Sequence, residues 1–374
     1  MSANVFKRTY DFAVIGGGPA GLAFALLMQR KGHHVVLLDQ YLSASNKVGE
    51  SVPAATSRLL EKLTLPPLEA PLHERISGAE SFWAGHFDYQ DGLAFLQGCD
   101  WRLDRLKFEE MLAQQAQQAG VYFLKAKLQQ MRREENCWLL ETNQDTLLRA
   151  DFVIDASGRH SIVSRLQSMV KEKGPPLIAL WACIEIDEQT FNTLSSCTLI
   201  ESQSQGWWYC ARLPQRKLMA IFHTSAHQAA KLREQHALWL QALSATELIS
   251  HRFNPELFTQ ATVQATNARF EKLERCYGDH WAACGDAAVC FDPISSQGIY
   301  NALASAAMLC DALSRSDKEA ALSDYQQRID NVANIYQEKR RVFYQRSYLN
   351  YSTDFWYEQY EIDSHIMVNS SDSG

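Results

Sequence analysis

One short segment constrains this chain more than any other. Residues 10–15 (YDFAVI) form an apolar run of strand formers that ends at Gly16-Gly17-Gly18-Pro19-Ala20-Gly21. The run LAFALLMQRKG follows, a helix with basic residues in its last turn and Gly32 as its stop, and HHVVLLD supplies a second strand. Strand, glycine turn, helix and strand in this order open a doubly wound parallel sheet. Gly16 permits the sharp turn, Gly18 lets the backbone approach a pyrophosphate, and Gly21 lets the helix pack close to the sheet. Pro19 and Ala20 begin a helix whose N-terminal amides suit phosphate oxygens. Asp39 ends the second strand, 18 residues beyond Gly21, where a carboxylate accepts ribose hydroxyl hydrogens. A glycine-rich turn with no ligand is the bland alternative, and the strand–turn–helix setting weighs against it.

The remaining chain divides by pattern. Residues 50–63 read as helical, 64–72 as a proline-punctuated connection, and 105–119 as an amphipathic helix stopped by Gly120. VYFLKAKLQQMRR, CWLLETN and TLLRADFVIDA supply further strands, the last ending in SGR. From about 176 to 226 long β-rich stretches take over (LIALWACIEI, TLIESQSQGWWYCARLP, KLMAIFHTS), the pattern of an antiparallel sheet. Residues 227–250 are expected to be helical. A buried strand returns near 281, NALASAAMLCDALSR is the helix after it, and glutamine-rich, aromatic helices fill 318–360.

Composition excludes several classes. At 374 residues the chain is long enough for two domains. A net charge of −7 lacks the basic footprint of a nucleic-acid binder. No apolar run approaches the roughly 18 residues that a membrane span needs. The N-terminus, MSANVFKRTYDF, has no signal-peptide apolar stretch, so a cytoplasmic location is expected. The nine cysteines are scattered, with no CxxC or Cys/His cluster, which points to reduced thiols and no metal site.

The distant motifs carry a resemblance. GGGPAGLAFA, the helix start Arg105-Leu-Lys-Phe108, DASGR at 155–159 and CGDAAVCFDPISSQGI at 284–299 occur in the order found in FAD-dependent aromatic hydroxylases. VGES at 48–51 looks like the GES element of the related flavin-dependent halogenases. The matches span residues 11 to about 305. The combination of GES, a GWWY strand, SxQG, a single nucleotide fingerprint and the aromatic stretch RSYLNYSTDFWYEQY is most similar to flavoprotein maturases of cysteine tryptophylquinone-dependent lysine or glycine oxidases.

The resemblance implies an α/β fold: a Rossmann-like doubly wound FAD-binding domain interleaved with an antiparallel β-sheet substrate domain, plus C-terminal helices. Residues 1–75, 100–170 and 270–315 would form the first unit and 76–99 with 171–269 the second. Residues 316–362 would be the helices, and 363–374 a flexible tail. It implies that Arg105 contacts FAD near its diphosphate or adenosine portion and that Asp286 hydrogen-bonds the ribityl chain. Ser296, Gln297, Gly298 and Ile299 would lie beside the isoalloxazine, and Glu50 would orient the flavin or the substrate. The alternatives are an N-cap role for Asp286 and, for Glu50, a dipole contact as the first residue of a helix.

The implied activity is hydroxylation of an aromatic ring through a flavin C4a-hydroperoxide, on a tryptophan of a precursor protein during tryptophylquinone biogenesis. The expected partners are the precursor of a tryptophylquinone amino-acid oxidase, O2, and an electron source: NAD(P)H, free reduced flavin or a reductase. Hydroxylation of a small aromatic metabolite and a non-catalytic FAD-binding chaperone are the rivals. Halogenation is less favoured. The region after GES, Glu74-Arg75-Ile76-Ser77-Gly78-Ala79, has no lysine, Lys47 lies before GES, and the loop reads DPISSQGI. Trp207, Trp208 and Tyr209 are candidate pocket residues, of which alternate ones face one side. His86 and His223 are candidate bases, and no catalytic base is assigned.

Overall fold

The computed structural model describes residues 4–40, 49–91 and 100–361, the first five by backbone alone. The parallel sheet forms where uninterrupted apolar runs allow burial on both faces. Strand Asn4–Ile15 pairs in parallel with Val35–Leu38 on one side and Thr146–Asp155 on the other. Tyr122–Leu124 and Trp281–Ala283 extend the sheet in parallel. Helices Pro19–Arg30 and Gly298–Leu313 pack together on this sheet through side chains that include the buried Phe24, Leu303 and Ala306.

A second sheet of seven strands runs Gln264–Asn267, Ile178–Glu185, Lys217–Thr224, Gly206–Leu213, Thr198–Gln203, Gly78–Trp83, His86–Asp91. It is antiparallel apart from one parallel pair, Thr198–Gln203 with Gly78–Trp83. Both of its faces are apolar, which explains why the sequence shows no polar alternation there. Leu180, Trp208, Ala220 and Phe222 pack under the helices that contain Trp239 and Ile249. Ala179, Trp181, Trp207, Tyr209 and Ile221 point the other way.

Residues expected to be C-terminal helices form one long helix, Lys318–Tyr351, and a further helical stretch over 354–361. The aromatic segment is spent largely on the core. Tyr344, Phe355 and Trp356 are buried, and the Trp356 indole donates to the Gln203 carbonyl at 2.8 Å.

One local expectation is corrected. The helix anticipated over 50–63 occupies Ala55–Lys62, and Ser51–Val52 is a short strand paired with Trp101–Arg102. Cross-strand pairing overrides the apolar periodicity there, so Glu50 starts no helix. The tail at 363–374, Lys47 and Val48 lie outside the described residues. No helix among the described residues is long and apolar enough to cross a membrane.

Candidate active site

A cavity of about 660 Å³ runs from the glycine turn to the inner face of the second sheet. Gly16, Gly18, Pro19, Ala20, Asp39, Glu50, Arg105, Asp286, Gln297, Gly298 and Ile299 all line it. Gly21 does not. A Cβ on Gly21 would sit 2.0 Å from the Gly16 carbonyl oxygen, so its bareness serves helix–turn packing. Gly16 has φ +113°, and a Cβ there would meet the Ala156 oxygen at 2.3 Å.

Gly18 behaves differently, since a Cβ there meets nothing within 4 Å among the described residues. Helix Pro19–Arg30 has Gly18 as its N-cap with no side-chain cap, which leaves first-turn amides for an anion. Asp39 turns one oxygen back onto the loop, where Oδ2 accepts from the Gly17 N–H at 2.5 Å. Arg105 donates to the Gly49 carbonyl at 2.5 Å and to Glu109 at 2.6 Å, bracing the GES loop beside the cavity.

Asp286 is not a helix cap. Cys284 is the N-cap of that short 3-10 turn, and the Asp286 carboxylate receives no hydrogen bond from the described residues. Burial raises its pKa, against the pull of Arg159, Arg105 and Lys171. A half-buried carboxylate with open acceptors beside a cavity suits ligand hydroxyls. Helix Gly298–Leu313 likewise begins without a side-chain cap, and among the described residues nothing stands within 4 Å of a Gly298 Cβ. An uncapped turn, bare glycines and an unpartnered carboxylate in one cavity fit a dinucleotide cofactor.

The opposite wall is aromatic. Trp207 and Tyr209 face the cavity, while Trp208 points into the other core, as strand alternation requires. Tyr209 donates to Glu50 Oε1 at 2.9 Å and accepts from Ser51 at 2.8 Å. Burial, then the Glu50 charge, raises the phenol pKa, so it remains a neutral donor. Glu50 also takes the Gly49 N–H at 2.9 Å and thereby ties the GES loop to the sheet. Of the two histidines singled out, His86 lies on an exposed strand away from the cavity, and His223 lines it.

Sequence reasoning missed the support beneath the 291–299 loop. Asp292 is buried, accepts from Arg340 Nε at 2.6 Å and from the Tyr344 hydroxyl at 2.9 Å, and caps the turn at Ile294. Tyr344 in turn accepts from the Trp207 indole at 3.2 Å. Arg159 was also missed. It joins two cavity loops by donating to the carbonyls of Arg269 and Phe291 at 2.6 and 2.9 Å. DASGR contained the signal for Arg159, whereas Arg340 has no local one.

Comparison with known proteins places this architecture. Residues 89–369 match the tryptophan halogenase family, and residues 14–44 match an NAD(P)-binding Rossmann-like domain. The chain belongs to the tryptophan halogenase family. It is an FAD-dependent oxidoreductase with the fold shared by flavin-dependent halogenases and aromatic hydroxylases. It is 30% identical over 351 residues to "Putative FAD-dependent oxidoreductase LodB" of Marinomonas mediterranea, covering 90% of this chain and 93% of that protein. Among solved structures it resembles QhpG, a peptidyl tryptophan dihydroxylase essential for tryptophylquinone cofactor biogenesis. The TM-score is 0.77 at 22% identity, over 94% of this chain and 79% of QhpG. The halogenase CmlS superimposes with a TM-score of 0.81 at 20% identity, over 95% and 68% of the two chains.

Proposed function

We propose that this chain is an FAD-dependent monooxygenase that hydroxylates a tryptophan side chain of a precursor protein during tryptophylquinone cofactor formation. The observation that carries the reading is the cavity itself. One end offers uncapped amides and the Asp286 carboxylate, and the other an aromatic wall of Trp181, Trp207 and Tyr209. FAD, when bound and reduced, supplies activation of O2 to an electrophilic oxygen donor.

The chain's own residues have separable tasks. Gly18, Pro19 and Ala20 receive the pyrophosphate, with Gly16 and Gly21 shaping the turn. Asp39 takes a ribose hydroxyl, and Arg105 lies on the diphosphate or adenosine side. Asp286 accepts from the ribityl chain, and the amides of Gln297, Gly298 and Ile299 meet the flavin edge. Glu50 holds Tyr209 in the wall. The wall residues place an electron-rich ring and keep water from the reacting atoms.

Hydroxylation is favoured over halogenation by the same wall. The lysine lining the cavity among the described residues is Lys127, just beyond strand Tyr122–Leu124, whose Leu124 carbonyl accepts from the Asp39 N–H. The 74–79 segment stays outside it, with Glu74 paired to Arg212 and Arg75 over the Trp101 ring at 5.0 Å. The matched NAD(P)-type segment is the same glycine turn that FAD fills in this reading. A nicotinamide donor therefore acts by a transient visit, and free reduced flavin or a partner reductase serves equally.

The test is intact-mass spectrometry of the neighbouring quinoprotein precursor expressed in air with and without this chain. One or two oxygen atoms gained on a tryptophan peptide, in the presence of this chain alone, is the expected result. An unmodified precursor beside an FAD-loaded protein refutes the protein substrate. Turnover of free indole or phenol in its place would establish a metabolite hydroxylase, and stable precursor binding without product a chaperone.

A further inference from the structure

We propose that His223 anchors the substrate ring by accepting a hydrogen bond from its N–H or O–H edge. This rests on the proposed oxygenation of an aromatic side chain and names the contact that holds that side chain in register. His223 lies on strand Lys217–Thr224, opposite Ala179 on one neighbouring strand and Trp207 on the other. The Trp207 ring stacks on the imidazole with centroids 3.7 Å apart and planes 16° from parallel. That stack fixes the ring plane. Ala179 is too short to reach either nitrogen.

His223 is 1% exposed and lines the cavity, and neither ring nitrogen has a hydrogen-bond partner among the described residues. A buried imidazole with both nitrogens unmet is costly, and such a group is ordinarily satisfied by what enters the site. Asp292, the charge that acts on the imidazole, is already taken up by Arg340, Tyr344 and Ile294. The Trp207 backbone carbonyl is near enough to favour an N–H on one ring nitrogen, which leaves the lone pair of the other for a group that enters the cavity.

Burial holds the imidazole neutral, with its pKa down to about 3. A neutral ring offers one lone pair and one N–H. The lone pair suits an indole or phenol and is of no use to a plain aromatic hydrocarbon. As the substrate ring gives up electron density to oxygen, its N–H or O–H becomes more acidic and the hydrogen bond strengthens. A contact that strengthens along the reaction coordinate contributes to rate as well as binding. A cation at this position would oppose the developing positive charge of the ring, and neutrality avoids that.

The experiment uses the oxidised, FAD-loaded enzyme and two probes, indole and 1-methylindole, titrated by calorimetry into wild type, His223→Phe and His223→Gln. Phenylalanine keeps the stack on Trp207 without nitrogens, and glutamine keeps an acceptor. Wild type is expected to prefer indole by about tenfold. His223→Phe should bind the two probes within about twofold of each other while retaining its FAD, and His223→Gln should keep part of the preference. A preference that persists in His223→Phe, or is missing in wild type, overturns the proposal. So does loss of FAD from the folded variant, because His223 would then be a cofactor contact. Oxygenation of the precursor is scored separately. Oxygen on the precursor with an unaltered preference in the variant refutes His223 alone, and a lost preference with no oxygen on the precursor refutes the protein substrate alone.

Discussion

Replacing Arg340 with methionine tests how the C-terminal helix supports the cavity. The Arg340 and Asp292 side chains are 2% and 1% exposed, with Nε 2.6 Å from Oδ2. Arg340 also donates to the Gln359 carbonyl at 3.1 Å and to its Oε1 at 2.7 Å, and its guanidinium lies over the Tyr344 ring at 4.2 Å. Removing one partner of a buried pair costs about 3–5 kcal/mol, because the other charge stays behind without compensation. The Tyr344 hydroxyl and Ile294 N–H still reach Asp292, which argues for the lower end of that range. Two orphaned Gln359 acceptors add roughly 1 kcal/mol. The sum is a loss of about 4 kcal/mol. Urea unfolding followed by tryptophan fluorescence measures it in wild type, Arg340→Met, Asp292→Asn and the double variant. The double variant should be no less stable than Arg340→Met, a coupling of about 2 kcal/mol or more. A loss below about 1 kcal/mol, or strictly additive losses, would refute the network as a structural tie.

Other outcomes follow from the same geometry. Gly18→Val should fold normally and purify without FAD, whereas Gly16→Ala should be destabilised outright by its clash with Ala156; absorbance and melting temperature separate the two. Asp286→Ala should lose most bound flavin while the empty protein melts no lower than wild type, since a half-buried carboxylate whose charged form burial disfavours is removed; flavin retained in full would argue against the ribityl assignment. His223 gives a pH signature. Its folded pKa lies at about 3, below the ordinary 6.5, so between those values the unfolded chain binds a proton that the folded one refuses. Wild type should therefore lose stability relative to His223→Phe as pH falls through that window, by roughly 1 kcal/mol per pH unit, measured by urea unfolding at pH 7, 6 and 5.

The sequence disclosed what is local and periodic. Gly16 to Gly21, Asp39, Asp286 and Gln297 to Ile299 sit in short motifs, each spanning one turn between two elements, and the structure gathers all but Gly21 around one cavity. Alternation likewise separated Trp207 and Tyr209 from Trp208. It could not say which face met the cavity, because both faces of that sheet are apolar. Glu50 was misplaced on a helix because the strand that follows it, Ser51–Val52, is made by pairing with Trp101 and Arg102, some 50 residues away. The Arg340–Asp292 pair spans 48 residues with no repeat to link them. His223 reads in sequence like any core histidine, and only the three-strand register shows its nitrogens unmet.

The tie from Arg340 to Asp292 also sets an order in time. During synthesis the glycine turn, the parallel sheet and the aromatic wall all emerge before the helix that holds the 291–299 loop in place. A nascent chain can therefore hold most of the cofactor cavity's surface while its flavin-facing loop is still untethered. Ribosome-bound chains in which residues beyond 317 have yet to emerge are expected to carry no FAD, and chains tethered by an added linker that brings residue 361 clear of the exit tunnel to carry it, as flavin fluorescence of purified ribosome complexes would record. Cofactor loading is then a late checkpoint, available to chains whose long helix has docked, and it keeps half-made protein from consuming reductant and oxygen.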